Sequence, residues 1–264
     1  MSDAALHGRC ALVTGSTGGL GLAIAAGLAR AGCRIMLTGL EDAAAAEPIR
    51  AGLAGETGAA VAYHRADLAQ EAEVRGLVAA ASARFGAVDI LVNNAVVRHF
   101  APVEAFPVDR WELALAVNLS AAFHTIRLLL PAMRARGWGR IVNMSSVYGS
   151  RGATNRIDYV TTKTALLGLT RGVALETAGD PITCNAVCPG SVSTPGTESR
   201  VERLVQEDGL PRAEAVRRFL AGKQPTGRFV PADNVVGTIL FLCSAAASEV
   251  TGAVLPVDGG WLAS

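Results

Sequence analysis

The chain has almost no excess of charge of either sign. Its 264 residues carry 24 Lys and Arg against 23 Asp and Glu, a formal net charge of +1 at pH 7. It also has no run of like charges. Nucleic-acid surfaces and polybasic membrane patches need a concentrated field of one sign, so neither partner is expected. Cysteine is scarce too. Cys10, Cys33, Cys184, Cys188 and Cys243 are odd in number and scattered, which reads as reduced, mostly buried thiols. Cys184 and Cys188 are close together, but no neighbouring His or Cys cluster completes a zinc site, so no metal is expected. Met1–Cys10 has neither an apolar leader core nor an Arg- and Ser-rich transit pattern. No apolar stretch reaches the roughly 18 to 20 residues of a spanning helix. The expectation is a soluble, cytoplasmic protein.

What is present is apolar. Hydrophobic residues make up 50% of the chain, ample for the core of one large domain spanning 1–264. Short β-branched runs read as strands at Cys10–Thr14, Arg34–Thr38, Ala60–His64, Ile90–Val92, Arg140–Met144, Thr183–Val187 and Val254–Val257. Helical patterns lie between them at Leu20–Ala31, Ala72–Phe85, Trp111–Met133, Tyr159–Thr177 and Asn234–Ser244. Strands buried on both faces and separated by helices predict an α/β fold, a doubly wound parallel sheet with helices on both faces. From Ser193 to Phe229 the alternation stops, and Arg- and Glu-rich helical patterns replace it. Ligands in such sheets bind beyond the strand carboxyl ends, so this insertion is expected to form a helical substrate lid.

The first strand runs into Gly15-Ser16-Thr17-Gly18-Gly19-Leu20-Gly21 and then a helix. Glycines let the backbone turn tightly against a pyrophosphate, and the helix N-terminus offers N–H groups and a favourable dipole. The spacing is G-x-x-x-G-x-G rather than the commoner G-x-G-x-x-G. The second strand ends in Thr38-Gly39-Leu40-Glu41-Asp42, without Arg or Lys. A basic residue there would suit a 2′-phosphate, so its absence favours NAD over NADP. Glu41 and Asp42 equally suit the start of the next helix, and the helix-start signals favour that role.

Tyr159 and Lys163 stand one helical turn apart on one face. A nearby cation favours phenolate and brings the phenol toward a useful range for acid–base work. The pair is common on helices and means little alone. Here Ser146 closes the NMSS strand upstream, Asn118 sits in VNLSA, and Asn93-Asn94-Ala95 follows another strand.

With TGSTGGLG, Asp67, NNA, Asn118, Ser146, YxxxK and CPGSVSTP in order, the sequence resembles the short-chain dehydrogenase/reductase family over essentially its whole length. The resemblance implies a Rossmann-type domain in which Tyr159 is the general acid/base. Lys163 would lower its pKa and hold the nicotinamide ribose, Ser146 would bond the substrate oxygen, and Asn118 would hold a relay water. For the cofactor it implies Gly15, Thr17, Gly19, Leu20 and Gly21 in the glycine loop, with Leu40 beyond the second strand. Asp67 and Leu68 would border the adenine, and Asn94 and Ala95 the adenosine ribose. Pro189, Gly190, Val192 and Thr194 would line the nicotinamide amide and phosphates. One departure is Val96, where the family has the glycine of NNAG.

Within the family, GSTGGLGLAIA, NLSAAFHTI, KQPTGRFV and TGAVLPVDGGW resemble bacterial D-3-hydroxybutyrate dehydrogenases, which implies a homotetramer interfaced by the two long helices. Those relatives hold the substrate carboxylate with a Gln-His pair, a Lys and a Gln. The matching positions here are Arg98 and His99, Arg156, and Arg200, and Tyr148 stands where they have a further His. Guanidiniums present planar forks for bidentate anion binding. Three together suit an anion bulkier or more highly charged than 3-hydroxybutyrate, such as a dicarboxylate or a sulfonate. Alternatively, each arginine faces solvent or pairs with Glu104, Asp158 or Glu198. The expected activity is NAD-dependent hydride transfer to or from a small anionic hydroxy acid. A neutral alcohol, sugar or thioester substrate, or a non-catalytic nucleotide-binding relative, are the competing readings.

Overall fold

The computed structural model describes residues 6–264; residues 1–5, half of the stretch read for a leader, lie outside the described residues. The seven apolar runs form one sheet: β1 (Cys10–Val13), β2 (Arg34–Leu37), β3 (Val61–Tyr63), β4 (Ile90–Asn93), β5 (Gly139–Met144), β6 (Ile182–Pro189) and β7 (Val254–Val257). Every pairing is parallel, in the order β3-β2-β1-β4-β5-β6-β7. Parallel neighbours need crossovers, and helices supply them. These are α1 (Gly19–Arg30), α2 (Ala43–Thr57), α3 (Glu71–Phe85), α4 (Val108–Leu115), α5 (Ala121–Arg136), α6 (Ile157–Glu176), α7 (Pro195–Asp208), α8 (Arg212–Leu220) and α9 (Ala232–Cys243).

The two-residue period of a strand sorts side chains onto the two faces. Ala11, Val13, Ile35 and Leu37 pack in a core with α1 and α9. Their neighbours Cys10, Leu12 and Met36 pack on the other face with residues of α3 and α5. The sheet is therefore apolar on both sides, as the continuous hydrophobic runs require. All five cysteines are buried and unpaired.

Two expectations need correction. The helix read at Trp111–Met133 is longer, and α4 joins α5 through a π-helical turn, Ala116–Ser120. The continuous run Val108–Arg136 has a mean hydropathy of 1.6 in its most apolar stretch, so one segment does reach spanning length by length and composition. Its Ala121, Ile126, Leu129 and Met133 are buried in the core beside α3. The Ala-rich segment after β2 is α2, and Asp42 opens it as the helix-start signals indicated, its carboxylate accepting from the Ala45 N–H at 2.8 Å.

The chain order reverses at β1, which pairs with β2 on one side and β4 on the other. The connections leaving these two carboxyl ends diverge and open a crevice above the sheet. The segment 193–229 covers the same edge. It contains α7 and α8, and the Val192–Val230 bridge joins its two ends. Gln224 reinforces that base: its Oε1 accepts from the Ser191 N–H and its Nε2 donates to the Arg228 carbonyl.

Candidate active site

One continuous cavity of about 910 Å³ runs along the carboxyl ends of the strands. Its first part is backbone. Gly15 takes φ +61° and lies so close to Ala95 that a Cβ would approach the Ala95 Cα to 2.9 Å. At Gly21 a Cβ would lie 2.1 Å from the Gly15 carbonyl, so only glycine lets the loop and α1 meet there. Gly18 caps α1 without a side-chain bond, and no acidic residue occupies its first turn. The helix thus presents its leading N–H groups and dipole to the cavity, along walls formed by Thr17, Gly19 and Leu20. Gly18 and Gly19 have open space where their side chains would be. The cradle fits a pyrophosphate.

The loop after β4 is tied to this cradle. Asn94 spends its side-chain amide on the carbonyls of Thr14 (2.9 Å) and Gly15 (3.1 Å), and the N–H groups of Asn94 and Ala95 both donate to the Thr14 hydroxyl. Asn94 and Ala95 line the cavity with Leu40, Asp67 and Leu68, and Val96 lines it where the family has glycine. Glu41 and Asp42 divide the two roles weighed for them. Asp42 caps α2, whereas Glu41 lines the cavity and accepts from the Thr17 hydroxyl at 2.9 Å. Sequence reasoning undervalued Glu41; its signal was being the first carboxylate after β2. On the other side, Pro189, Gly190 and Val192 follow from β6, and Thr194 caps α7 through a reciprocal bond pair with Thr197.

The reacting end is built on α6 and β5. Tyr159 and Lys163 are both buried, and the Lys163 ammonium lies 5.6 Å from the Tyr159 ring centroid while donating to the Met144 carbonyl. Ser146 follows β5, and its hydroxyl accepts from the Tyr148 N–H at 3.3 Å. Burial pushes the Tyr159 phenol up. The Arg98 guanidinium, the Lys163 ammonium and the Ser146 hydroxyl together outweigh it, so the phenol lies below its ordinary range. Burial lowers Lys163 as well, against the opposing pull of Tyr159. The sequence reading assigned the activating cation to Lys163 alone. Arg98 is the stronger influence, with Nη2 3.4 Å from the Tyr159 hydroxyl.

Two expected contacts fail. The side chain of Asn118 does not line the cavity. Its Oδ1 accepts from the Val97 N–H (2.8 Å), and its Nδ2 donates to the Val97 carbonyl (3.0 Å) and to Thr162 (3.3 Å). This side chain therefore clamps the β4 loop to α6. His99 also turns away: its ring meets Phe106 edge-on, centroids 5.3 Å apart, and its N–H donates to Asp158.

The remaining substrate candidates do face the cavity. Arg98, Tyr148, Arg156 and Arg200 all line it. The anticipated ion pairs are absent among the described residues. Asp158 accepts from the N–H groups of His99 and Tyr159, and Glu198 pairs with Ser193 and Arg212. Arg156 and Arg200 instead stack on Phe100, with guanidinium carbons 4.5 and 4.9 Å from its ring centroid. Tyr148 lies between Arg156 and Trp261, whose ring meets it edge-on at 5.4 Å. Trp261 also lines the cavity. The sequence reading missed Lys223, which lines the same end. Burial, then Arg156 and Arg200, lower it, and burial with Arg156 and Arg98 lowers Arg200.

The chain matches the family model described as enoyl-(acyl carrier protein) reductase over residues 15–262. It is 45% identical to a D-beta-hydroxybutyrate dehydrogenase of Cupriavidus necator, over 98% of this chain and 99% of the relative. It is 38% identical to another of Rhizobium meliloti, over 97% and 99%. The L-sorbose reductase of Gluconobacter frateurii, solved in complex with NADPH and L-sorbose, superposes with a TM-score of 0.93 at 29% identity, covering 98% of each chain. Likeness sustained from the glycine loop to the C-terminus, in sequence and in fold alike, makes this chain an oxidoreductase of the short-chain dehydrogenase/reductase family.

Proposed function

We propose that the protein interconverts a small anionic hydroxy acid and its keto acid, with NAD as the hydride carrier. The observation that carries the reading is the position of Arg156 and Arg200, cavity-facing and, among the described residues, without a carboxylate partner, at the end of the cavity that holds Tyr159. An unpaired cation beside a partly dehydrated cavity gains most from an anionic ligand.

When bound, the nicotinamide accepts or returns the hydride at the carbinol carbon. The chain's residues supply position and proton transfer. The Tyr159 oxygen takes the hydroxyl proton, which Arg98 and Lys163 favour by stabilising phenolate. Ser146 holds the substrate oxygen as charge develops on it. The guanidiniums of Arg156 and Arg200 fix the acid end and so aim the carbinol at Tyr159. Glycine-loop N–H groups receive the pyrophosphate, and Glu41 offers a carboxylate to the adenosine ribose. The loop after β2 offers no cation for a 2′-phosphate, which supports NAD even though the sorbose reductase was solved with NADPH.

Exposed Phe123 and Leu175, on the long helices α5 and α6, support the proposal of a homotetramer, which light scattering on the purified protein tests. Nothing in the charge distribution favours nucleic acid or a membrane as partner, and a cytoplasmic location is proposed with the rest. The function is tested by NAD reduction over hydroxy acids and matched neutral alcohols. Turnover of the acids is expected. Truncating Arg156 or Arg200 to Ala should raise KM roughly 10- to 100-fold, the loss of one charged hydrogen bond. KM values unchanged from the parent protein in both variants would overturn the reading.

A further inference from the structure

Resting on the function just proposed, we infer that the substrate's non-reacting end carries two negative charges, held among Arg156, Arg200 and Lys223, while Arg98 is reserved for Tyr159. The cations of the cavity divide into two groups by what they touch. Arg98 bonds the Tyr159 hydroxyl and stacks on its ring at 4.7 Å, and Lys163 lies beneath the same ring. Their charge answers the phenolate. Arg156 and Arg200 flank Phe100 instead. Lys223, from the segment after α8, sits over Phe219 at 4.0 Å and gives one N–H to the Phe219 carbonyl at 2.6 Å. That leaves two ammonium N–H groups for a ligand.

The anionic side of this balance is short. Among the described residues, the only carboxylates lining the cavity are Glu41 and Asp67, from the loops after β2 and β3, on the other side of β1 from β5 and β6. Of the three acids two positions from Arg156 or Arg200, Asp158 and Glu198 are committed elsewhere, and Glu202 accepts from Gln206. A singly charged carboxylate would leave two of the three distal cations uncompensated, whereas a doubly charged terminus would leave only one. Phe100 and Phe219 hold the cations in place without neutralising them, since a ring face attracts a cation but carries no net charge. The class is therefore a secondary alcohol with a doubly charged terminus: a phosphonate or phosphate, or a geminal pair of carboxylates.

Matched compounds separate charge from shape. On the 3-hydroxybutyrate skeleton, the carboxylate is planar with one charge. 2-Hydroxypropane-1-sulfonate is tetrahedral with one charge, and 2-hydroxypropylphosphonate is tetrahedral with two at alkaline pH. 2-(1-Hydroxyethyl)malonate carries two carboxylates. Racemic compounds would be compared by kcat/KM in NAD reduction. The unreactive butyrate, propanesulfonate and propylphosphonate would be compared by calorimetric titration. The phosphonate or the malonate should exceed both singly charged compounds at least tenfold, about 1.4 kcal/mol. The better of the two identifies the terminus. Lys223→Gln should shrink the ratio of the better dianion to the sulfonate below threefold, and Lys223→Arg should keep it, with thermal melts verifying that both variants fold. Failure of both doubly charged compounds to exceed the singly charged ones tenfold, or a ratio of the better dianion to the sulfonate unmoved in Lys223→Gln, would overturn the inference while leaving the hydroxy-acid function standing. Turnover of 2-butanol above every anion would overturn both.

Discussion

The Nη2 of Arg98 lies 3.4 Å from the hydroxyl of Tyr159, so the phenol on α6 is held between two cations that arrive from different elements. Lys163 comes from one turn along the same helix, and Arg98 from the loop after β4. The consequence is a pH profile. Alcohol oxidation needs the phenolate, so kcat/KM should rise with pH through the Tyr159 pKa, at a pH below the ordinary tyrosine value of about 10. Arg98→Ala removes a cation that favours the ionised form. The rising limb should move to higher pH, and Arg98→Lys should restore part of the shift. An unmoved limb would show that Arg98 acts only on substrate. Tyr159→Phe should lose roughly 10²- to 10⁴-fold in kcat while still binding NAD by fluorescence titration.

Glu41 should decide cofactor choice. Its carboxylate reaches the glycine loop through the Thr17 hydroxyl, at the cavity wall after β2. Removing it loses a charged hydrogen-bond acceptor, worth about 1.5–3 kcal/mol. Glu41→Ala should weaken NAD binding by roughly tenfold or more and leave NADP binding equal or tighter. Titration of both cofactors by intrinsic fluorescence measures the ratio. An unchanged NAD affinity would assign Glu41 to loop packing alone.

Gly21 should tolerate nothing larger. A Cβ there would lie 2.1 Å from the Gly15 carbonyl and 2.6 Å from Asn94 Nδ2, inside van der Waals contact with the backbone. Gly21→Ala must push the loop away from α1 and break the bonds Asn94 makes to it. Cofactor affinity should fall by more than an order of magnitude, with destabilisation of about 1–3 kcal/mol from overpacking. Gly18→Ala is the control, because nothing stands within 4 Å of its Cβ. Calorimetric melting with and without NAD separates the two effects.

The thiols should be silent in the folded protein. Burial pushes Cys10, Cys33, Cys184 and Cys243 up to about 12 and raises Cys188 as well. Since the thiolate is the reactive form, an aromatic disulfide reagent at pH 8 should titrate none of the five until denaturant is added, and then all of them. Rapid labelling of even one thiol in the native state would contradict their burial.

The sheet was legible because a parallel strand advertises itself locally. β1, β2 and β4 are built on short apolar runs, and each appears within a residue of its expected bounds. The glycine loop was legible for the same reason, since a turn requirement is a local property, whereas the Tyr159–Lys163 pair stood out only beside the family's other motifs. Side-chain direction across elements is not local. Nothing in the sequence distinguishes Asn118 facing a cavity from Asn118 clamping Val97, nor Glu41 turned toward Thr17 from Glu41 starting α2. The sequence by itself determined the fold class, through hydrophobic period and turn chemistry, and its resemblance to the family pointed to Tyr159 and Lys163 as the reacting pair. Only the tertiary structure decided how the cations are shared: Arg98 to Tyr159, and Arg156, Arg200 and Lys223 to the distal cavity. That division rests on residues far apart in the chain meeting in one cavity, where each charge is defined by its neighbours rather than by its own position in the sequence.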